Sequence, residues 1–291
     1  MVLFLAQLSP SVTINQLLTG FQLDPLSILA DAALVATAIL YILGVRRLAK
    51  RNRIWSKWRT LSFMGSLFTI FFAVGSGFAS YDDSVFWMHV IQHLLLMNAA
   101  PIMLVLSAPV TLALQASNRS TTTSILKIIN SRYISFWSFP IVAWLSNWVT
   151  MYAYFLTPLY SLSIRHPLFH YYTHLHFLIA GFFFWSVVLG LDPAKHRLSF
   201  GAKLAFLLTG IPFGSFLGIA IMQSSRSIDP AANTLTDTHM GGSILWIFGE
   251  IFTFAAIGII FVQWSRAEER SAKRLDRELY PDSMPPYQPN S

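Results

Sequence analysis

Residues Ser84–Pro109 read SVFWMHVIQHLLLMNAAPIMLVLSAP. The run is apolar and long enough to cross a bilayer, yet His89 and His93 lie within its first ten residues. On a helix, residues four positions apart share a face, so both imidazoles point the same way. A histidine in hydrocarbon needs a partner for its ring nitrogens. The stretch therefore predicts a membrane helix that contributes two side chains to a binding site.

The composition of the whole chain predicts several such helices. Only 11% of its 291 residues are charged and 54% are hydrophobic, whereas soluble domains carry about 25% charged residues. The formal net charge of +7 would suggest nucleic-acid binding in a soluble protein. Here the basic residues lie beside apolar runs and indicate topology, so no nucleic-acid partner is predicted. The chain has no cysteine, which excludes disulfides and thiolate metal sites.

We predict an all-α fold, a polytopic bundle of seven transmembrane helices embedded in the lipid bilayer. Eighteen of the 20 lysines and arginines fall in alternate connections and the C-terminal segment, and only Arg165 and Arg226 lie on the opposite side. The positive-inside rule then places the N-terminus outside and the C-terminus in the cytoplasm. Residues 1–270 form the seven-span domain, and residues 271–291 form a cytoplasmic tail that we expect to be disordered at its end. The predicted spans lie near Leu26–Gly44, Leu61–Ala79, Val85–Leu106, Ile134–Tyr154, Pro167–Gly190, Lys203–Gln223 and Met240–Trp264.

Most histidines collect on one face of the membrane in this topology. Seven of the eight lie at the outer ends of the third, fifth and seventh spans, and only His196 is cytoplasmic. His93 and His176 each lie roughly 13 Å below the start of their span, so the two rings can meet if the helices are neighbours. His170 and His174 share a helical stripe, whereas His176 is rotated by roughly 160° from His174. These side chains therefore cannot all serve one site.

A transition metal is the partner that this set of side chains favours. Imidazole binds zinc, copper, iron and nickel, and a thioether shifts the preference towards reduced copper. Asp82, Asp83 and Asp237 flank the histidines and either orient them or cap helices. Glu250 lies deep in the seventh span, where it serves an ion relay or stays neutral and hydrogen-bonded. The candidate metal ligands are His89, His93, His170, His174, His176, Asp237, His239 and Met240.

Four blocks lie in order along the chain: HVIQHLLLMNAAPIMLVLSAPVTLAL (His89–Leu114), HLHFLIAGFFFWSVVLGLDP (His174–Pro193), GIPFGSFLGIAI (Gly210–Ile221) and DTHMGGSILWIFGEI (Asp237–Ile251). Together they resemble the CtaG family of bacterial cytochrome c oxidase assembly factors. The resemblance covers about Leu26–Arg270 and implies a role in maturing the copper-containing oxidase, through copper handling for its catalytic centre. The positions that match the family pattern are His89, His93, His176 and Asp237.

The leading hypothesis from the sequence is therefore a metallochaperone of the bacterial plasma membrane. It would take copper at an extracytoplasmic site, from a copper-donor protein, and pass it to a cytochrome c oxidase subunit. No enzymatic activity is predicted, because ligand exchange between similar sites suffices.

Three other classes compete with this hypothesis. A b-type haem protein that transfers electrons also needs paired histidines on facing helices. A retinal protein would need a lysine in the seventh span, which Met240–Trp264 lacks. A metallohydrolase of the H-E-x-x-H class is disfavoured because that motif is absent.

Overall fold

The computed structural model describes residues 20–279, which form helices joined by irregular connections and contain no strand. The predicted all-α fold is confirmed for this part of the chain. The helices are α1 (Pro25–Ala49), α2 (Lys57–Val74), α3 (Phe86–Leu94), α4 (Ala100–Leu106), α5 (Pro109–Ala116), α6 (Arg119–Ile129), α7 (Arg132–Trp137), α8 (Pro140–Leu156), α9 (Leu159–Arg165), α10 (Pro167–Leu189), α11 (Phe200–Leu208), α12 (Ile211–Met222) and α13 (Leu235–Leu279).

Five helical stretches among the described residues are long and apolar enough to cross a membrane. Two further predicted spans overlap α2 and α8, which have only 18 and 17 residues, somewhat fewer than the roughly 20 that a span needs. The membrane character of the chain is thus supported, while the count of seven spans and the orientation of the termini stay predictions. The five stretches are Pro25–Ala49, Phe86–Ala116, Pro167–Leu189, Phe200–Met222 and Leu235–Leu279.

The helical stretch 86–116 is interrupted by a π-helical turn at Leu95–Ala99, between α3 and α4. Pro101 lies four residues after Met97 and has no N–H, so the carbonyl of Met97 lacks its usual helical donor. Here the carbonyl of Met97 accepts a hydrogen bond from the indole nitrogen of Trp185 on α10, at 3.1 Å. A side chain at Gly181 would overlap the same carbonyl oxygen. Gly181 thus lets α10 approach the π turn closely, and this contact fixes the position of α10 relative to α3.

The long helix α13 fixes the start of α3. The carboxylate of Asp237 accepts hydrogen bonds from the backbone nitrogens of Phe86 and Trp87, at 2.7 and 3.1 Å. These are two of the orphan donors that begin every helix. Gly241 packs directly over the ring of Phe86, where a Cβ atom would collide with it. The two contacts with α13 therefore set how deep α3 and its two histidines lie in the bundle.

Two elements differ from the sequence prediction in extent. The predicted span Lys203–Gln223 is two helices, α11 and α12, which meet at Gly210. Helix α13 continues well beyond the predicted end of its span, to Leu279, so the first part of the predicted tail is helical. The last twelve residues, 280–291, for which we expect disorder, lie outside the described residues.

Candidate metal centre

Four histidines from two helices face each other inside the bundle. His89 and His93 are four residues apart on α3, and His170 and His174 are four apart on α10. The ring centroids lie 4.4 Å apart in the first pair and 4.3 Å apart in the second. Between the helices, His89 stacks on His170 at 5.2 Å, and His93 meets His174 edge to face at 5.5 Å. All four residues are buried, and we call this set the histidine cluster.

Several ring nitrogens in the histidine cluster have no hydrogen-bond partner within the described part of the chain. Both nitrogens of His93 are buried and unbonded, as are Nε2 of His170 and Nδ1 of His174. Leaving a buried polar atom unsatisfied costs about 1–3 kcal/mol, so native proteins rarely do it without a reason. A neutral imidazole has one nitrogen with a lone pair. The unbonded nitrogens of these three contacting side chains therefore point to a ligand that takes one lone pair from each.

The other ring nitrogens are held by neighbours, which fixes the orientation of their rings. Nε2 of His89 lies 2.8 Å from the hydroxyl of Tyr154, and Nδ1 lies 3.2 Å from the backbone oxygen of Asp82. Nε2 of His174 lies 3.0 Å from the amide oxygen of Gln92. Outer partners of this kind set which nitrogen of a histidine is free to bind a metal.

A buried carboxyl group completes the cluster. Asp82 precedes α3 and is only 5% exposed, and one of its oxygens lies 3.7 Å from Nε2 of His170. The same oxygen accepts a hydrogen bond of 2.6 Å from the amide of Gln92. Burial, and then the nearby Asp83 carboxylate, raise the pKa of Asp82 to about 8. Such a group holds a proton at neutral pH unless a cation lies beside it.

The distances within the cluster suit a metal ion. One ligand atom each from His89, His93 and His170 lie within 4.8 Å of one another, and the same holds for Asp82, His170 and His174. Metal–imidazole bonds are about 2 Å long, so two ligands of one ion are at most about 4 Å apart. Small side-chain movements would therefore bring either set onto an ion. His170 belongs to both sets, which makes it the centre of the arrangement.

Aromatic side chains enclose the cluster. Phe177 meets His93 edge to face with ring centroids 4.1 Å apart, and Tyr160 meets His89 in the same way at 4.9 Å. The hydroxyl of Tyr154 is 2.6 Å from that of Ser163, and that of Tyr160 donates to Asn233 at 2.9 Å. This shell limits the access of water, so charges inside it interact strongly.

The structure brings together four of the eight predicted ligands and separates the rest. Nε2 of His176 lies 2.9 Å from the hydroxyl of Thr150, on the other side of α10. Nε2 of His239 donates to the backbone oxygen of Ser224 at 2.8 Å. Met240 packs in an apolar cluster beside Trp87, and Asp237 caps α3 as described above. Within residues 20–279, these four side chains make contacts that account for their positions.

The sequence analysis missed Gln92 and Tyr154 as parts of the centre. Gln92 lies between the two histidines in the stretch HVIQH, and an amide in a membrane span must find a partner. That signal was present in the sequence. Tyr154 gave no such signal, because tyrosines are common near the ends of membrane helices.

Comparisons with known proteins agree with the earlier resemblance. The family model described as cytochrome c oxidase caa3 assembly factor (Caa3_CtaG) matches residues 39–267. Uncharacterized protein Mb0105 of Mycobacterium bovis and Uncharacterized protein MT0111 of Mycobacterium tuberculosis are each 30% identical to 93% of this chain. Uncharacterized protein ML1998 of Mycobacterium leprae is 28% identical to 85% of it. The matches cover 43%, 43% and 41% of these relatives, so the chain spans less than half of their length. No solved structure matches.

Proposed function

Because the chain belongs to the family of cytochrome c oxidase caa3 assembly factors, we propose that it binds copper in the histidine cluster and helps to deliver it to the oxidase. One observation carries the proposal. His93 is buried among three other histidines, and neither of its ring nitrogens has a hydrogen-bond partner. In this proposal His93, His170 and His174 hold the metal and Asp82 adds a carboxylate. His89 joins them when its Nε2 exchanges the hydroxyl of Tyr154 for the metal. Copper is the cargo of the protein, and no catalytic step is part of the proposal.

The donor set fits copper chemically. Imidazole is a good ligand for copper, and among divalent first-row metals copper forms the most stable complexes with such sites. The chain has no cysteine, so no thiolate holds the metal tightly against transfer. Exchange of imidazole ligands, one at a time, would let the ion pass to an acceptor with similar donors.

We propose a seven-span topology for this function, with the N-terminus outside and the histidine cluster on the extracytoplasmic side of the bacterial plasma membrane. Support comes from the distribution of basic residues along the chain. His170 and His174 lie near the first turns of α10, whereas the basic connection after Gly190 follows its opposite end. A copper-donor protein and an oxidase subunit would then approach from the same outer side.

The haem alternative has less support. A bis-histidine haem lies between its two axial imidazoles, whereas the rings of His89 and His170 stack directly on each other at 5.2 Å. An absorption spectrum of the purified protein tests this point, because a Soret band would favour haem over copper.

The copper content of purified variants tests the proposed function. We expect His93→Ala to lose most of the bound copper, because it removes the histidine with two free nitrogens. His176→Ala is the matched control, since it removes a histidine outside the cluster and should keep the copper content of the wild type. Equal copper in both variants, measured by elemental analysis, would contradict the proposed site.

Delivery needs its own assay. The copper-loaded protein is mixed with a copper-free oxidase subunit, and the metal content of both is measured after separation. Transfer from the wild type, with none from the His93→Ala variant, is the expected result. Retention of all copper by the wild type would favour storage over delivery.

A further inference from the structure

A large basic cavity lies at the end of the molecule opposite to the histidine cluster. It has a volume of about 520 Å³ and is lined in part by Gly190, which ends α10. His174 and Gly190 are sixteen residues apart along that helix, or roughly 24 Å. The cavity is therefore separate from the proposed copper site. We call it the basic cavity, and its cationic lining residues are Arg59, Arg197, Lys203, Arg266 and Arg270.

Among residues 20–279, the positive charges of the basic cavity lack partners of opposite sign. No acidic side chain in this part of the chain lines it. None of the five cationic residues forms an ion pair with another described residue. Like charges that converge in this way repel each other, and the repulsion is relieved when an anion binds between them.

The five cations come from separate parts of the chain, so the arrangement is not a single charged helix face. Arg59 lies on α2, Arg197 precedes α11, and Arg266 and Arg270 lie one turn apart on α13. Arg59 stacks on the ring of Trp55, with its guanidinium carbon 4.8 Å from the ring centre. The side chain of Arg197 donates to the backbone oxygen of Asp192 at 3.2 Å. These contacts leave part of each guanidinium free for a ligand.

Lys203 is the buried member of the set, with an exposed fraction of 8%. Its amino group lies over the ring of Phe200 and beside Gly190. The carbonyl end of α10 carries a partial negative charge, which favours a cation at this position even without a ligand in the cavity. The end of that helix thus explains the position of Lys203. The positive-inside bias explains why the other four lie on this side of the membrane, but not why they converge on one cavity.

We propose that the basic cavity binds a phosphate-bearing anion, with either the head group of an anionic phospholipid or a soluble phosphate as its source. The volume is in the range of small-molecule sites, which are about 300–1,000 Å³. Guanidinium groups bind phosphate through paired hydrogen bonds. Basic pockets between membrane helices are typical sites for acidic lipid head groups. The cavity lies where α10 ends and α11 begins, and both helices belong to stretches that can span a membrane. This position favours the lipid as the source.

Binding of a fluorescent phosphatidylglycerol to the full chain in detergent tests the proposal. The cavity variant is Arg197→Gln with Arg270→Gln, which leaves Lys203 in place at the end of α10. The control is Arg119→Gln with Lys127→Gln, two exposed residues of α6 that do not line the cavity. Both variants lose two positive charges, and in both the charges lie on the proposed cytoplasmic side of the membrane. We expect about tenfold weaker binding in the cavity variant, and wild-type affinity in the control.

Competition separates the two sources of the anion. Displacement by unlabelled phosphatidylglycerol, but not by inorganic phosphate, identifies a lipid head group. Displacement or direct calorimetric binding of inorganic phosphate, lost in the cavity variant, identifies a soluble phosphate. The proposal is overturned if both variants bind alike, if phosphatidylcholine competes equally well, or if neither the lipid nor phosphate binds to the wild type.

Discussion

At the level of single residues, the account depends on which ring nitrogens are free. His89 is held at both nitrogens, whereas His93 is held at neither. Buried imidazoles without partners are costly, so the unbonded nitrogens are the best evidence for a ligand. Asp82 is also buried, and because its pKa is raised to about 8, it is ionised at neutral pH only when a cation lies beside it.

The substitution Asp82→Asn separates a ligand role from a structural one. We expect copper affinity to fall about 10–100-fold, the usual loss when a carboxylate near a metal is removed. The stability of the metal-free protein should not fall near neutral pH. The reason is that burial raises the folded pKa of Asp82 to about 8, above its unfolded value of about 3.9, so ionisation opposes folding across that range.

A competition titration against a copper chelator measures the affinity, and thermal unfolding in detergent measures the stability. Asp276→Asn, an exposed residue of α13, is the control. If Asp82→Asn binds copper as tightly as the wild type, the carboxylate of Asp82 does not take part in metal binding.

The sequence predicted part of this arrangement. Spacing of four residues placed His89 with His93 and His170 with His174, and helical rotation separated His176 from His174. The partners Gln92, Tyr154 and Asp82 were not predicted as a set. Their contacts depend on how α3 is rotated and how deep it lies, and neither quantity follows from periodicity alone.

At the level of helices, the close approach of α10 to the π turn that follows α3 is what assembles the cluster. That approach depends on the π turn at Leu95–Ala99 and on Gly181. Sequence predicted both helices, but not the π turn between α3 and α4, because Pro101 is equally compatible with a membrane helix that is only kinked. The split of α11 from α12 at Gly210 was missed for a similar reason, since glycine is frequent in membrane helices that continue unbroken.

The substitution Gly181→Ala tests this packing. A methyl group there would overlap the carbonyl oxygen of Met97, so α10 must move away from the π turn that follows α3. We expect a loss of about 1–3 kcal/mol in stability, and weaker copper binding because His170 and His174 move with α10. Gly258→Ala on α13 is the matched control, as its new methyl group would meet nothing within 4 Å.

Thermal unfolding and copper titration of the two alanine variants give the answer. If Gly181→Ala has the stability and copper affinity of Gly258→Ala, the close approach is not what positions the histidines.

At the level of the whole molecule, the proposed function requires a defined orientation in the membrane. The described helices include five that can span it, and the basic residues predict the side on which each connection lies. The absence of cysteine makes this prediction easy to test, because any introduced thiol is the only one in the chain.

We expect a membrane-impermeant maleimide to label Thr157→Cys, but not Ser120→Cys, in intact cells. Thr157 follows α8 on the proposed outer side, and Ser120 lies in α6 on the basic side; both are exposed. Permeabilised cells provide the control, since both variants should then be labelled. The reverse pattern in intact cells would place the histidine cluster on the cytoplasmic side.

X-ray absorption spectroscopy of the copper-loaded protein tests the central claim most directly, because it reports the atoms bound to the metal. The account predicts several imidazole ligands, with multiple-scattering features that weaken in His93→Ala and persist in His176→Ala. A spectrum dominated by methionine sulfur, or one that is identical in the wild type and in His93→Ala, would contradict the proposal that the histidine cluster holds copper.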